Sequence, residues 1–131
     1  KNLGIKKAWI VFGEKGIDEI TTCGATNVIE LKNNRFKKFK IYPEKLGLRN
    51  ASLNKIKGKD PKYNAKEILN LFNNNNYNLY FKETVLINTA ACLVITEKAK
   101  SLKQGIKIAN ENIVNGKALK KLNNLIKISN E

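Results

Sequence analysis

The side chains in this sequence that can do chemistry are few, and they are carboxylates. No histidine occurs among the 131 residues. No serine or cysteine sits in a recognisable nucleophile turn, so triad chemistry has no support. Cys23 and Cys92 lie far apart with no histidine nearby, which indicates neither a zinc constellation nor a disulfide framework. What remains is the run Gly16, Ile17, Asp18, Glu19. Two adjacent acids in a loop could hold a hard cation such as Mg²⁺ and share it with substrate phosphates. The same residues also describe a solvated turn, since Asp caps turns readily, and spacing alone leaves both readings open. Thr21, Thr22, Gly24 and Thr26 could contact a phosphate beside the acids or merely satisfy the turn. Lys6 and Lys7 read as solvated, and Asn88, inside an apolar helix, as bonded to backbone there.

The elements that must position these residues follow from the apolar pattern. Ala8 to Phe12 is a continuous apolar run, the mark of a strand covered on both faces, as in a parallel sheet with helices outside. It ends at Gly13, and the loop from Glu14 to Thr26 lies at its carboxyl end, where open α/β sheets bind ligands. Asn27–Leu31 and Arg35–Ile41 read as strands, joined at Asn33 and Asn34, which tolerate positive φ in a tight hairpin. The expected sheet is therefore mixed and mostly parallel, with one β-hairpin and flanking helices.

Residues 43–59 read as short helical turns and loop. Asp60 followed by Pro61 starts a helix carrying Ala65, Ile68, Leu69 and Phe72, which the asparagines from Asn73 to Asn76 end. A second helix, from about Phe81 to Lys98, is apolar on nearly every side and should be the most buried element. Ser101 and Gln104 form a capping box for a third, which Gly116 stops. Leu119, Leu122, Leu125 and Ile126 mark a last helix with lysines opposite. There is no linker and no internal repeat.

An apolar share of 42% over 131 residues supplies one ordinary core. The chain opens on Lys1 and runs directly into a buried-looking strand, which suggests a piece of something longer. The longest nearly uncharged apolar stretch, Thr84 to Ile95, falls short of the ~20 residues that a membrane-spanning helix requires. No signal-peptide pattern precedes it, so the expected location is cytoplasmic, with both thiols reduced. A net charge of +14 invites nucleic acid as a partner. Only Arg35 and Arg49 of the 25 basic residues are arginine, however, and the lysines are scattered, which favours a compositional bias.

The order of segments resembles one family. The motifs are Gly-Ile-Asp-Glu-Ile from Gly16, Thr-Asn-Val-Ile-Glu from Thr26 and Pro-Glu-Lys-Leu-Gly-Leu from Pro43. Asp-Pro-Lys-Tyr-Asn-Ala from Asp60, Leu-Ile-Asn-Thr-Ala-Ala from Leu86 and Ser-Leu-Lys-Gln-Gly from Ser101 follow in order. Together they are similar to the C-terminal portion of the anthranilate phosphoribosyltransferases, over essentially all 131 residues. The resemblance implies a nucleoside phosphorylase and phosphoribosyltransferase type of catalytic domain, represented in part. It also implies transfer of phosphoribose from phosphoribosyl pyrophosphate to anthranilate in tryptophan biosynthesis, with Mg²⁺ as cofactor held by Asp18 and Glu19. The family's helical N-terminal domain, which usually forms the dimer, has no match here. Nor do its glycine-rich pyrophosphate loop, its Lys-His-Gly-Asn segment and its anthranilate-binding arginine. The resemblance thus implies an incomplete site: no catalytic residue is certain in these 131 residues, and alone they should be inactive. Two positions depart from the family pattern: Phe12 stands where a histidine is common, and Lys59 where the second of paired glycines is usual. Two rival readings are a pyrimidine nucleoside phosphorylase and a non-enzymatic relative that binds nucleic acid.

Overall fold

The computed structural model describes residues 4–131. Three strands, β1 (Lys7–Gly13), β2 (Thr26–Lys32) and β3 (Arg35–Ile41), are followed by five helices: α1 (Leu53–Ile56), α2 (Pro61–Phe72), α3 (Leu79–Ile95), α4 (Leu102–Val114) and α5 (Lys117–Ser129). The hairpin forms as its residues require. Asn33 and Asn34 both take positive φ, 50° and 61°, and set the register Lys32↔Arg35 through Thr26↔Ile41.

The sheet differs from the expectation. Its order is β1-β2-β3, and both pairings are antiparallel, so among the described residues no strand pairs in parallel. The reason is connectivity: β1 reaches β2 through a loop that folds straight back, without the crossover helix that parallel pairing needs. β1 is therefore an edge strand, and it is not covered on both faces. Trp9 and Val11 pack towards the core, while Ile10 (68%) and Phe12 (60%) stay exposed on the other side. Strand alternation separates these pairs.

The core is built in two parts. Ile20, Val28, Ile41, Ile87 and Ala91 join the sheet to α3, and Leu71, Leu86, Ala109 and Ile113 join α2, α3 and α4. As its composition implies, α3 is the central helix, buried through Thr84, Leu86, Ile87, Ala90 and Ala91. It starts two residues earlier than expected because Asn78 Oδ1 accepts from the N–H groups of Tyr80 and Phe81, and it ends sooner because Glu97 turns left-handed at φ 60°. Gly105 lets α4 approach α3 closely: a Cβ there would lie 2.8 Å from both Ala90 Cα and Ala90 Cβ.

The helix starts at Asp60 and Ser101 are as anticipated, with Asp60 Oδ1 accepting from Tyr63 N–H and Ser101 Oγ from Gln104 N–H. The Gln104 side chain accepts from Lys100 N–H rather than from Ser101 N–H, so the capping box closes one residue early. Lys7 is not solvated. Its ammonium donates to Val94 C=O at 2.8 Å, placing a cation at the C-terminal end of α3.

Candidate metal loop

The segment between β1 and β2 is a hook. Gly13 N–H donates to Ile17 C=O at 2.8 Å, and Glu14 N–H to Ala25 C=O at 2.9 Å, so the loop leaves β1 and returns within a few residues. Gly13 is required by proximity rather than by dihedral angle. Its φ of −76° suits any residue, but a Cβ would lie 2.9 Å from Thr21 Cγ2 and 3.0 Å from Glu19 C=O.

Inside the hook the threonines are buried and bonded within the turn and to its neighbours. Thr21, Thr22 and Thr26 have no exposed surface. Thr26 Oγ1 accepts from Thr21 N–H, Thr21 Oγ1 accepts from Cys23 N–H, and Thr22 C=O accepts from Ala51 N–H. The Thr84 hydroxyl donates to Tyr80 C=O, which leaves the Thr22 hydroxyl as donor to Thr84 Oγ1 at 3.0 Å. These threonines therefore satisfy the turn, and burial keeps them from any phosphate.

Ile20 anchors the hook in the core, and Asn88 clamps it from α3. Asn88 Oδ1 accepts from Ile20 N–H at 3.0 Å, and its Nδ2 donates to Ile20 C=O at 2.8 Å and to Thr84 C=O at 3.0 Å. Of these bonds the sequence suggested only the one within its own helix. Close by, Glu83, also from α3, is buried and accepts from Arg49 N–H at 2.7 Å while its other oxygen pairs with the Arg49 guanidinium. An acid and an amide in an otherwise apolar helix were the available signals for both contacts.

Asp18 and Glu19 stand on the outside of this rigid hook, adjacent and exposed. The Glu19 carboxyl is pushed above its ordinary value, first because protein around its base removes water from one side and second because the Asp18 charge is beside it. A divalent cation would relieve that repulsion. No cluster of three or more His, Cys, Asp or Glu side chains that could hold a metal ion occurs among the described residues, and Asp18 with Glu19 offers two adjacent carboxylates. That set fits Mg²⁺, which needs few protein ligands and keeps water or substrate phosphate in the remaining positions.

The two departures lie elsewhere. Phe12 projects from the exposed sheet face, away from the core. Lys59 lies over the Tyr63 ring at 4.5 Å, and its N–H donates to Asn64 Oδ1. Lys45, Lys55 and Lys82 cover Tyr42, Tyr80 and Tyr77 in the same way, so part of the basic surplus is spent on aromatic faces. No helix is long and apolar enough to cross a membrane among the described residues.

Comparison with known proteins identifies the family. The anthranilate phosphoribosyltransferase of Brucella suis is 40% identical over 131 residues, all of this chain and 38% of that protein. The Saccharomyces cerevisiae anthranilate phosphoribosyltransferase in complex with 4-fluoroanthranilate superposes with a TM-score of 0.82 at 30% identity, covering 92% of this chain and 35% of the yeast one. The yeast enzyme in complex with PRPP and Mg gives a TM-score of 0.79 at 29% identity, covering 88% and 33%. This chain therefore spans little more than a third of the relatives it matches. A family model described as "Glycosyl transferase family, a/b domain" accounts for residues 1–119, nearly the whole length, and the chain belongs to that family.

Proposed function

We propose that these residues are the C-terminal portion of an anthranilate phosphoribosyltransferase, the enzyme that moves phosphoribose from phosphoribosyl pyrophosphate to anthranilate in tryptophan biosynthesis. The observation that carries the proposal is the exposed Asp18–Glu19 pair, next to Ile20, whose backbone is clamped by Asn88. The relatives named above supply the substrates, and one of them was solved with PRPP and Mg.

In this reading Asp18 and Glu19 hold Mg²⁺, which neutralises charge developing on the pyrophosphate leaving group. The chain's own part is to fix the carboxylates. Ile20 sits in the core, Asn88 holds its backbone on both sides, and the loop bearing the acids cannot swing without breaking those bonds. The nucleophile is the anthranilate amine, so the absence of histidine is no obstacle. The rest of the site, and the helical domain through which the whole protein forms a homodimer, lie outside these 131 residues. Cys23 and Cys92 are unpaired, in keeping with a cytoplasmic enzyme.

The test is a chimaera in which these residues replace the matched region of the Brucella suis enzyme. It should turn over anthranilate and phosphoribosyl pyrophosphate with Mg²⁺, whereas the isolated 131 residues should not. Asp18→Asn together with Glu19→Gln should lower kcat/KM by about 100-fold or more, a loss of about 3 kcal/mol of transition-state stabilisation. Full activity of the double variant would overturn the assignment.

A further inference from the structure

A cavity of about 240 Å³ lies between α1, the first turns of α2 and the start of α3, and none of its lining residues belongs to the hook. Two asparagines fix its walls. Asn64 Oδ1 accepts from Lys59 N–H at 2.9 Å and its Nδ2 donates to Lys59 C=O at 3.1 Å, which ties the loop after α1 to α2. Gly58 permits that approach, since a Cβ there would lie 2.9 Å from Asn64 Oδ1. Asn78 caps α3 through Oδ1 and donates from Nδ2 to Lys55 C=O at 2.7 Å, which ties α1 to α3. The cavity is therefore formed before anything enters it, and a preformed site gives up less entropy on binding.

The charged groups of the cavity are not matched to one another. Of Lys55, Lys57 and Lys59, the first donates to the Tyr80 hydroxyl and lies over that ring, and the last lies over the Tyr63 ring. Lys57, between them, lines the cavity and its ammonium meets no partner among the described residues. Glu67, on α2, lines the same cavity. Three and four positions along the helix from it stand Tyr63, Asn64, Asn70 and Leu71, so no helical neighbour supplies a cation. No ion pair among the described residues includes Glu67, and none joins it to Lys57. The remaining wall is hydrocarbon, from Ile56, Ile68 and Phe81.

We infer that this cavity binds a free α-amino acid with an apolar side chain: its ammonium at Glu67, its carboxylate at Lys57 and its side chain against Ile56, Ile68 and Phe81. An α-amino acid carries both charges on one carbon, so it bridges a lysine and a glutamate that face the same space without touching. A simple amine would leave Lys57 unmatched, and a simple acid would leave Glu67 so. Size points the same way, because the volume falls below the ~300–1,000 Å³ of pockets that take drug-sized ligands. The site goes beyond the transferase reading and does not depend on Asp18 or Glu19.

The experiment is a calorimetric titration of this chain with leucine as the probe. One saturable site with a millimolar Kd is expected, and the amide resonances of Gly58 and Asn64 should shift as it fills. Two analogues, 3-methylbutylamine without the carboxylate and 4-methylpentanoate without the ammonium, should each bind about tenfold more weakly, as loss of one charged contact implies. Glu67→Gln and Lys57→Gln should each weaken leucine by about the same factor and leave the melting temperature unchanged. Asp18→Asn should leave leucine binding unaltered, so failure of the metal assignment and failure of this site read out separately. Absence of saturable binding, equal binding of leucine and either analogue, or leucine binding that survives both substitutions would each overturn the inference.

Discussion

Asn88 holds the backbone of Ile20 from both sides, accepting from its N–H and donating to its C=O, as a neighbouring strand would. Ile20 follows the acid pair directly, so one side chain on α3 sets where two carboxylates stand. Asn88→Ala would leave the buried N–H and C=O of Ile20 unbonded, at a cost of about 2–4 kcal/mol. Urea unfolding of the isolated chain measures it. A loss below about 0.5 kcal/mol, within the range of an ordinary surface change, would mean that the clamp does not hold the hook.

The acid pair should impose its own pH dependence. Glu19 is protonated more easily in the folded chain than in the unfolded one, where its carboxyl has the ordinary value of 4.5. Its contribution is therefore favourable below that value and is lost as pH rises through the elevated folded pKa. Glu19→Gln removes this loss, so the variant should gain on the parent between acid and neutral pH. Unfolding midpoints collected across that range decide the matter, and parallel curves for the two proteins would contradict the raised carboxyl. Added Mg²⁺ should stabilise the parent mainly on the high-pH side, where the Glu19 carboxyl has lost its proton.

Gly13→Ala tests the closeness of the hook without touching a dihedral preference. The added methyl would press on Thr21 and on the Glu19 carbonyl, and overpacking of this kind costs about 1–3 kcal/mol. Because one of the atoms met belongs to Glu19, the metal requirement of the chimaera should shift as well. A melting curve and an activity titration against Mg²⁺ that both match the parent would show that the loop is looser than described.

At the contact of α3 with α4, Gly105→Ala should be more damaging, since the new methyl would meet Ala90 through its Cα, Cβ and carbonyl oxygen. Ala90→Gly removes only one of those atoms. The double variant should recover part of the loss, a coupling of about 0.5–3 kcal/mol in a double-mutant cycle. Strict additivity of the two substitutions would show that the helices do not touch there.

What the sequence revealed was whatever depends on near neighbours. Asn33 and Asn34 set the hairpin, and Asp60 and Ser101 start helices, because each acts on backbone within three residues. The acid pair was legible for the same reason, as two adjacent letters in a loop. Asn88 was visible as a polar residue in an apolar helix, but its partner lies 68 residues away and no local pattern points to it. The threonines of the hook were ambiguous because a hydroxyl that bonds a phosphate and one that bonds a turn look alike until burial is known. The β1 run is instructive in another way. Its apolar residues on both faces suggested an interior strand, and the described residues cover only one face.

Trp9 is the only tryptophan in the chain, and it sits on that edge strand. Its indole N–H donates to Glu30 at 2.8 Å, its ring meets Phe39 edge to face at 5.3 Å, and it forms part of the cleft beside α3. The molecule therefore carries a built-in optical probe beside that cleft. Excited near 295 nm, the isolated chain should emit as a half-hydrated indole. Filling of the cleft should move that emission to shorter wavelength, with no label attached.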